Sequence, residues 1–383
     1  MATTTDTPPI FRGLTIGIVG VLAVAIAPIL LTRLYETGRI SAEEIGIAIC
    51  IEFIAMAIGS MLGAKLLSQG RLALRLTLVC VAMAAANAWT PYAAGSMILV
   101  SRALAGLFGG MMIWIILTTI IRSRTPERWS GIYLSGHTAV QFATATLIAV
   151  LIVPQFGASG GYLVLAVISL ALIPVALSMP NIRPINDANS TTENVSIPLV
   201  GWLLLASILL INAMFSSVIS YAEVEFQARG FTIDETLAIV PVILLAQMVG
   251  GIVAAIIAAR SPQAFVVVAV SAALVGVVWW LSMPSSITNA YAGFAVFGFC
   301  WLFVGPFQLG LLLRKSAAPQ TGELLAAAQL LGLAFGPLVA AGMLLEGGYP
   351  PASYHYALVA GSVVILGIAL SLRSTPAAVS SQA

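Results

Sequence analysis

The sequence predicts an all-α membrane protein: twelve transmembrane helices in two six-helix bundles, with both termini in the cytoplasm. Three observations lead there. Hydrophobic residues make up 60% of the 383 and charged residues only 8%, whereas a soluble chain is about one quarter charged. Apolar runs of the roughly twenty residues needed to cross a hydrocarbon core recur along the whole chain. Once those runs are threaded through a bilayer, the basic residues collect on one side. With a mean hydropathy of +1.06, too few charges remain to solvate a compact particle, so lipid is the expected solvent.

The runs are taken in chain order. The first half gives Gly13–Leu31, Ile45–Leu67, Leu72–Trp89, Ala93–Ile121, Gly131–Val153 and Leu163–Met179. The first of these is longer than a signal-peptide core and lacks a small-residue cleavage pattern, so it is expected to stay as helix 1. The third and fourth are parted by little more than Thr90-Pro91-Tyr92, where the proline marks a break. The second half gives Leu199–Tyr221, Leu237–Ala259, Phe265–Met283, Asn289–Leu313, Glu323–Leu345 and His355–Leu372. Between the halves lies the longest polar stretch. It divides the chain into a bundle at 1–180, a cytoplasmic linker at 181–198 and a second bundle at 199–383.

Orientation follows from the positive charges. With the N-terminus inside, twelve of the sixteen Lys and Arg residues fall on the cytoplasmic side. Arg33, Arg39 and Arg229 fall outside, and Arg102 falls within a span. A miscounted helix would scramble this bias, so it checks the count. The implied location is a bacterial inner membrane. The two halves also echo each other. Arg122-Ser-Arg-Thr-Pro126, then Gly131 and a polar-faced helix, parallels Arg314-Lys-Ser-Ala-Ala-Pro319, then Gly322 and a helix carrying Gln329. Internal repeats of this kind build many secondary transporters.

Other classes of function are poorly served. The net charge of +2 and the scattered basic residues argue against a nucleic-acid partner. Cys50, Cys80 and Cys300 each sit alone in an apolar run, without disulfide or metal-ligand spacing, and read as packing residues. Neither a metal nor a cofactor is implied. Asn189-Ser-Thr and Asn194-Val-Ser match the glycosylation pattern but fall in the cytoplasmic linker. An intramembrane enzyme would need paired acids, a Ser–His arrangement or a metal triad at one depth. His137 has no acidic partner on its helix, His355 lies near the opposite surface, and no H-E-x-x-H occurs. A receptor would need a soluble domain to report its state, and none is large enough.

Ionisable groups at mid-depth are costly and need a reason. Glu52 in span 2 and Arg102 in span 4 both lie roughly 10–14 Å in from the outer end of their helices, at 1.5 Å per residue. Equal depth and opposite charge make them a candidate pair. The pair is either a structural salt bridge or a protonation switch, because a carboxylate in an apolar wall can change charge with the exposure of its site. In span 5, His137, Gln141 and Thr144 share one helix face, which suits a wet cavity, and His137 is a candidate proton carrier. In the second half Asn212, Ser216 and Ser220 share a face of span 7. Gly298, Trp301, Gly305 and Gln308 line up on span 10, with Gln247 on span 8 and Gln329 above Gly332 and Gly336 on span 11. The glycines read best as close helix packing. The buried amides are less easily explained that way.

Two local motifs then point to a family. Arg102-Ala-Leu-Ala-Gly106-Leu-Phe-Gly109-Gly110 resembles the R-x-x-Q-G-x-G pattern of the major facilitator superfamily, with Ala105 where glutamine is usual. Gly63-Ala-Lys-Leu-Leu-Ser-Gln-Gly70-Arg71 resembles its cytoplasmic G-x-L-A-D-R-x-G-R loop, with Leu67 in place of the aspartate. The span count, the polar linker and the chain length are also similar to that family. The G-x-x-x-G-P run that drug–proton antiporters carry in helix 5 is missing there, while a similar Gly332-Leu-Ala-Phe-Gly336-Pro337 lies in helix 11.

The resemblance implies a secondary transporter working by alternating access, the bundles rocking about a central site. Glu52, Arg102 and His137 are the candidates for proton coupling. Trp114, Gln141, Asn212, Phe215, Trp301, Gln308 and Gln329 are the candidates for binding the solute. Amides and aromatics with at most one arginine suit a small, weakly polar or amphipathic organic solute better than a polyanion. The expected partners are that solute, protons and the lipid bilayer, and the expected state is a monomer. Export is the leading direction, and nutrient uptake by proton symport is the alternative.

Overall fold

Apolar runs punctuated by proline, glycine and short polar turns can satisfy their backbone in lipid only as helices, and helix is what forms. The computed structural model describes residues 10–182, 197–316, 319–345 and 348–372, and no strand occurs among them. Ten helical stretches among the described residues are long and apolar enough to cross a membrane. Their outer faces carry large hydrophobic side chains, among them Val150, Val167, Ile256 and Phe265, each more than 60% exposed. Water would not tolerate such a surface, and lipid does. The expected linker falls largely outside the described residues, as do Asn189 and Asn194.

The chain divides into two compact units. One comprises Met1–Arg124 with Tyr133–Asp187, and the other Thr125–Ile132 with Ala188–Ala383. The first unit contains α1 (Ile10–Gly20), α2 (Leu22–Glu36), α3 (Ala42–Leu66), α4 (Leu72–Trp89) and α5 (Ser96–Ile121). Most of α6 (Pro126–Leu147), α7 (Val153–Ala171) and α8 (Ile173–Leu177) complete it. The expected first span is two helices that meet at Val21. A capping box, Ser41 with Glu44, starts α3, satisfying two orphan N–H groups. The break at Thr90-Pro91-Tyr92 is a single 3₁₀ turn, Thr90–Tyr92.

Spans 5 and 6 differ from expectation at their junction. A helical run covers 126–177 without an open polar loop, passing through a π-helical turn at Ile148–Ile152. Its one interruption inside α7 is Gly157, at φ +60°, a conformation glycine adopts at little steric cost.

Small residues set the tightest helix contact of this unit. A methyl group at Gly106 of α5 would lie 2.3 Å from the Glu52 carbonyl oxygen, and one at Gly110 would lie 2.0 Å from that of Met56. Bare backbone at those positions lets α3 and α5 touch. Arg102 stands one turn before Gly106, so the same contact brings its side chain to Glu52. Leu67 is buried with Leu72, Leu76 and Trp114 in an apolar cluster.

The second unit contains α9 (Leu199–Ala228), α10 (Ile233–Leu237), α11 (Ile239–Ile257), α12 (Gln263–Ser282) and α13 (Ile287–Ser316). After these come α14 (Pro319–Glu323), α15 (Leu325–Ala341) and α16 (Ala352–Ser371). The glycine device recurs. Methyl groups at Gly332 and Gly336 would lie 2.3 Å and 2.0 Å from the carbonyl oxygens of Leu209 and Ala213, so α15 packs backbone-close on α9. The first turns of α6 group with this unit, where Glu127 pairs with Arg314 at 3.1 Å.

Candidate functional site

The deepest polar centre of the first unit is assembled by α3, α4, α5 and α7. Arg102 is fully buried and Glu52 nearly so. The structure brings them together: Arg102 Nη1 lies 3.5 Å from Glu52 Oε1. Two further acceptors crowd the same guanidinium. Its Nη2 donates to Asn87 Oδ1 at 2.9 Å and to Thr90 Oγ1 at 2.7 Å. Thr90 in turn donates to the Ala86 carbonyl at 2.9 Å and lies 3.0 Å from Ser101 Oγ. The Tyr162 ring covers the guanidinium, with its centroid 4.8 Å from Cζ, in a cation–π arrangement. Arg102 Nε, Asn87 Nδ2 and the Tyr162 hydroxyl are buried without a protein partner. A carboxylate, a guanidinium and neutral polar groups thus share one buried cluster, where a proton gained or lost changes the whole charge balance.

Sequence reasoning missed Asn87, Thr90 and Tyr162. Asn87 is a neutral amide in an apolar span, and Thr90 reads as part of a turn. Tyr162 falls one residue before the expected start of span 6.

The polar face of α6 is committed to helix contacts. His137 Nδ1 lies 3.2 Å from Gln141 Oε1, and Gln141 Nε2 donates to the Val21 carbonyl at 2.7 Å. Gln141 therefore caps the carbonyl at the joint between α1 and α2. Trp114 is buried in the apolar cluster described above, and a methyl group at Gly63 would lie 2.7 Å from its Cβ.

In the second unit Asn212, Phe215 and Trp301 come together. The Trp301 indole N–H donates to Asn212 Oδ1 at 3.2 Å, while Asn212 Nδ2 donates to the Ile208 carbonyl at 2.8 Å. Phe215 stacks on Trp301 with centroids 3.7 Å apart and planes 5° from parallel, and Phe297 follows at 5.2 Å. Gln329 is half-buried on α15, one turn before Gly332, whose added methyl would meet Asn212 Cβ at 2.8 Å. Gln308 stands apart from this group. It lines a small cavity with Ser207, Ile208, Val267 and Leu366, and its Nε2 has no partner. Ser217 and His355 meet at 3.0 Å. Both are buried.

Residues 12–331 match the family model described as Major Facilitator Superfamily. Among curated sequences no relative matches. Solved structures similar to the chain include FucP, a fucose:proton symporter of E. coli, in its outward conformation. It is 10% identical, with a TM-score of 0.74, over 95% of this chain and 98% of that one. The human organic anion transporter MFSD10 is 15% identical, with a TM-score of 0.72, over 94% and 100%. The proton:xylose symporter XylE, bound to 6-bromo-6-deoxy-D-glucose, is 13% identical, with a TM-score of 0.71, over 94% of each chain. At these identities the likeness is one of fold.

Proposed function

The chain belongs to the Major Facilitator Superfamily, a multi-pass membrane transporter and not an enzyme, and from that premise we propose that it exports a small organic solute across a bacterial inner membrane in exchange for protons. It works by alternating access, as a monomer, with twelve crossings and both termini in the cytoplasm. The observation that carries the proton-coupled reading is the buried Glu52–Arg102 pair. An ion pair this deep is costly to assemble, and a family member that couples to protons has a use for it. His137, in the same unit, is a second proton carrier. Asn212, Phe215, Trp301 and Gln329 are the solute-binding group of the second unit. Stacked rings beside amides favour a weakly polar or amphipathic solute with a flat apolar face.

A second reading, uptake by proton symport, draws on two observations. α6 lacks the glycine-rich run of drug–proton antiporters, and two of the similar structures are named as sugar:proton symporters. Melting of the purified protein against sugars, organic anions and lipophilic cations, at acid and neutral pH, separates the readings. A ligand at about 100 times its Kd stabilises the folded state by roughly 2.7 kcal/mol. Stabilisation by amphipathic compounds is expected. Stabilisation by sugars alone would contradict the amphipathic solute and favour the sugar-like substrate of the second reading.

A further inference from the structure

Arg102 makes its shortest bonds to neutral groups and not to the charge it faces. A hydrogen bond between a cationic nitrogen and a carboxylate is usually the shortest in a site, about 2.7–2.9 Å. Here the order is inverted. The short bonds from Nη2, at 2.7 Å and 2.9 Å, go to the neutral oxygens of Thr90 and Asn87, while Glu52 stands 3.5 Å from Nη1. The neutral side is also the rigid side. Thr90 is tied to Ala86 and Ser101 and is fully buried, as is Asn87. On the other side, Glu52 has no protein partner of its own beyond this long contact among the bonds described.

We propose that Asn87 and Thr90 are positioning residues of the proton site, holding the Arg102 guanidinium in one place whether Glu52 is charged or neutral. Glu52 is then the group that can let go. Protonation releases the carboxyl group from a long contact and leaves the guanidinium still hydrogen-bonded to two neutral acceptors and stacked on Tyr162, so it keeps its position when its counter-charge is gone. The ionisable groups facing Glu52 are Arg102 of α5 and Tyr162 of α7. The charges on neighbouring α2, Arg33 and Glu36, pair with each other at 2.7 Å. The inference rests on the proton-coupled reading above.

The test uses infrared difference spectra of the full protein in lipid, taken across pH, with Glu52→Gln assigning the carbonyl band of protonated Glu52. Asn87→Leu and Thr90→Val each remove a neutral acceptor, so the guanidinium turns toward the carboxylate and the band should emerge about one pH unit lower, a tenfold change in proton affinity. Asn87→Asp supplies a competing carboxylate and should move it the opposite way. Opposite signs at one position are not expected of a residue that only fills space. Variants that melt cooperatively and show the band at the wild-type pH overturn the positioning role and leave proton coupling standing. A wild-type protein without any Glu52→Gln-sensitive band overturns proton coupling, and the positioning role with it.

Discussion

Arg102 contacts Glu52, Asn87 and Thr90, and its loss should cost more than loss of the carboxylate beside it. Arg102→Met leaves Glu52 buried and unpaired, a change that typically costs about 3–5 kcal/mol. Glu52→Gln keeps an oxygen facing Nη1 and leaves the bonds to Asn87 and Thr90 intact. Thermal melts in detergent should therefore show a large drop for Arg102→Met and a small one for Glu52→Gln. Equal drops would mean that the pair itself, not the cradle, secures the arginine. Both charged residues were legible in the sequence, because a charge inside an apolar run has few innocent explanations. Their neutral partners were not, since amides and hydroxyls are common in spans and periodicity does not say which helix they face. Trp114 shows the same limit. An aromatic residue in a span reads equally well as core or as cavity wall, and only its packing against Gly63 and Leu67 distinguishes them.

At the scale of the helix, bare glycine backbone fixes the contacts. Gly110→Ala would place a methyl group 2.0 Å from the Met56 carbonyl, and such overpacking costs about 1–3 kcal/mol. Gly336→Ala should behave alike, against Ala213. Gly46→Ala meets nothing within 4 Å and sits exposed in α3, so it should be neutral or gain up to about 1 kcal/mol from helix propensity. Melting temperatures of the three variants, read side by side, test this, and a loss at Gly46 equal to that at Gly110 would refute it. A second prediction concerns the joint between α1 and α2. Gln141→Leu leaves the Val21 carbonyl without its donor, a loss of about 1–3 kcal/mol if the group stays dry, and the same melts would reveal it. Helix positions were readable from hydropathy because lipid imposes a length on each run. The joint at Val21 and the join at Gly157 were not, since neither leaves a polar stretch that hydropathy can register.

For the whole molecule, composition and the recurrence of apolar runs were enough to place the chain in a membrane, and two degenerate motifs pointed to its family. The departures within those motifs carry physical content. With Leu67 in place of the loop aspartate, that segment is held by apolar burial in the first unit, so high salt should leave its packing undisturbed. Hydrogen exchange of residues 63–72 at low and high salt checks this, and salt-dependent exchange would contradict it. Direction and substrate were not legible, because they depend on which side chains meet a solute, and chemically similar linings serve sugars, anions and drugs alike.

Proton coupling through Glu52 is tested most directly by following the internal pH of liposomes that contain the protein while a ligand found by melting is added outside. The wild-type protein should change the internal pH in step with ligand movement. Glu52→Gln should abolish that change and all uphill transport, while exchange of labelled for unlabelled ligand continues. A Glu52→Gln protein that still couples ligand movement to a change in pH would contradict the account.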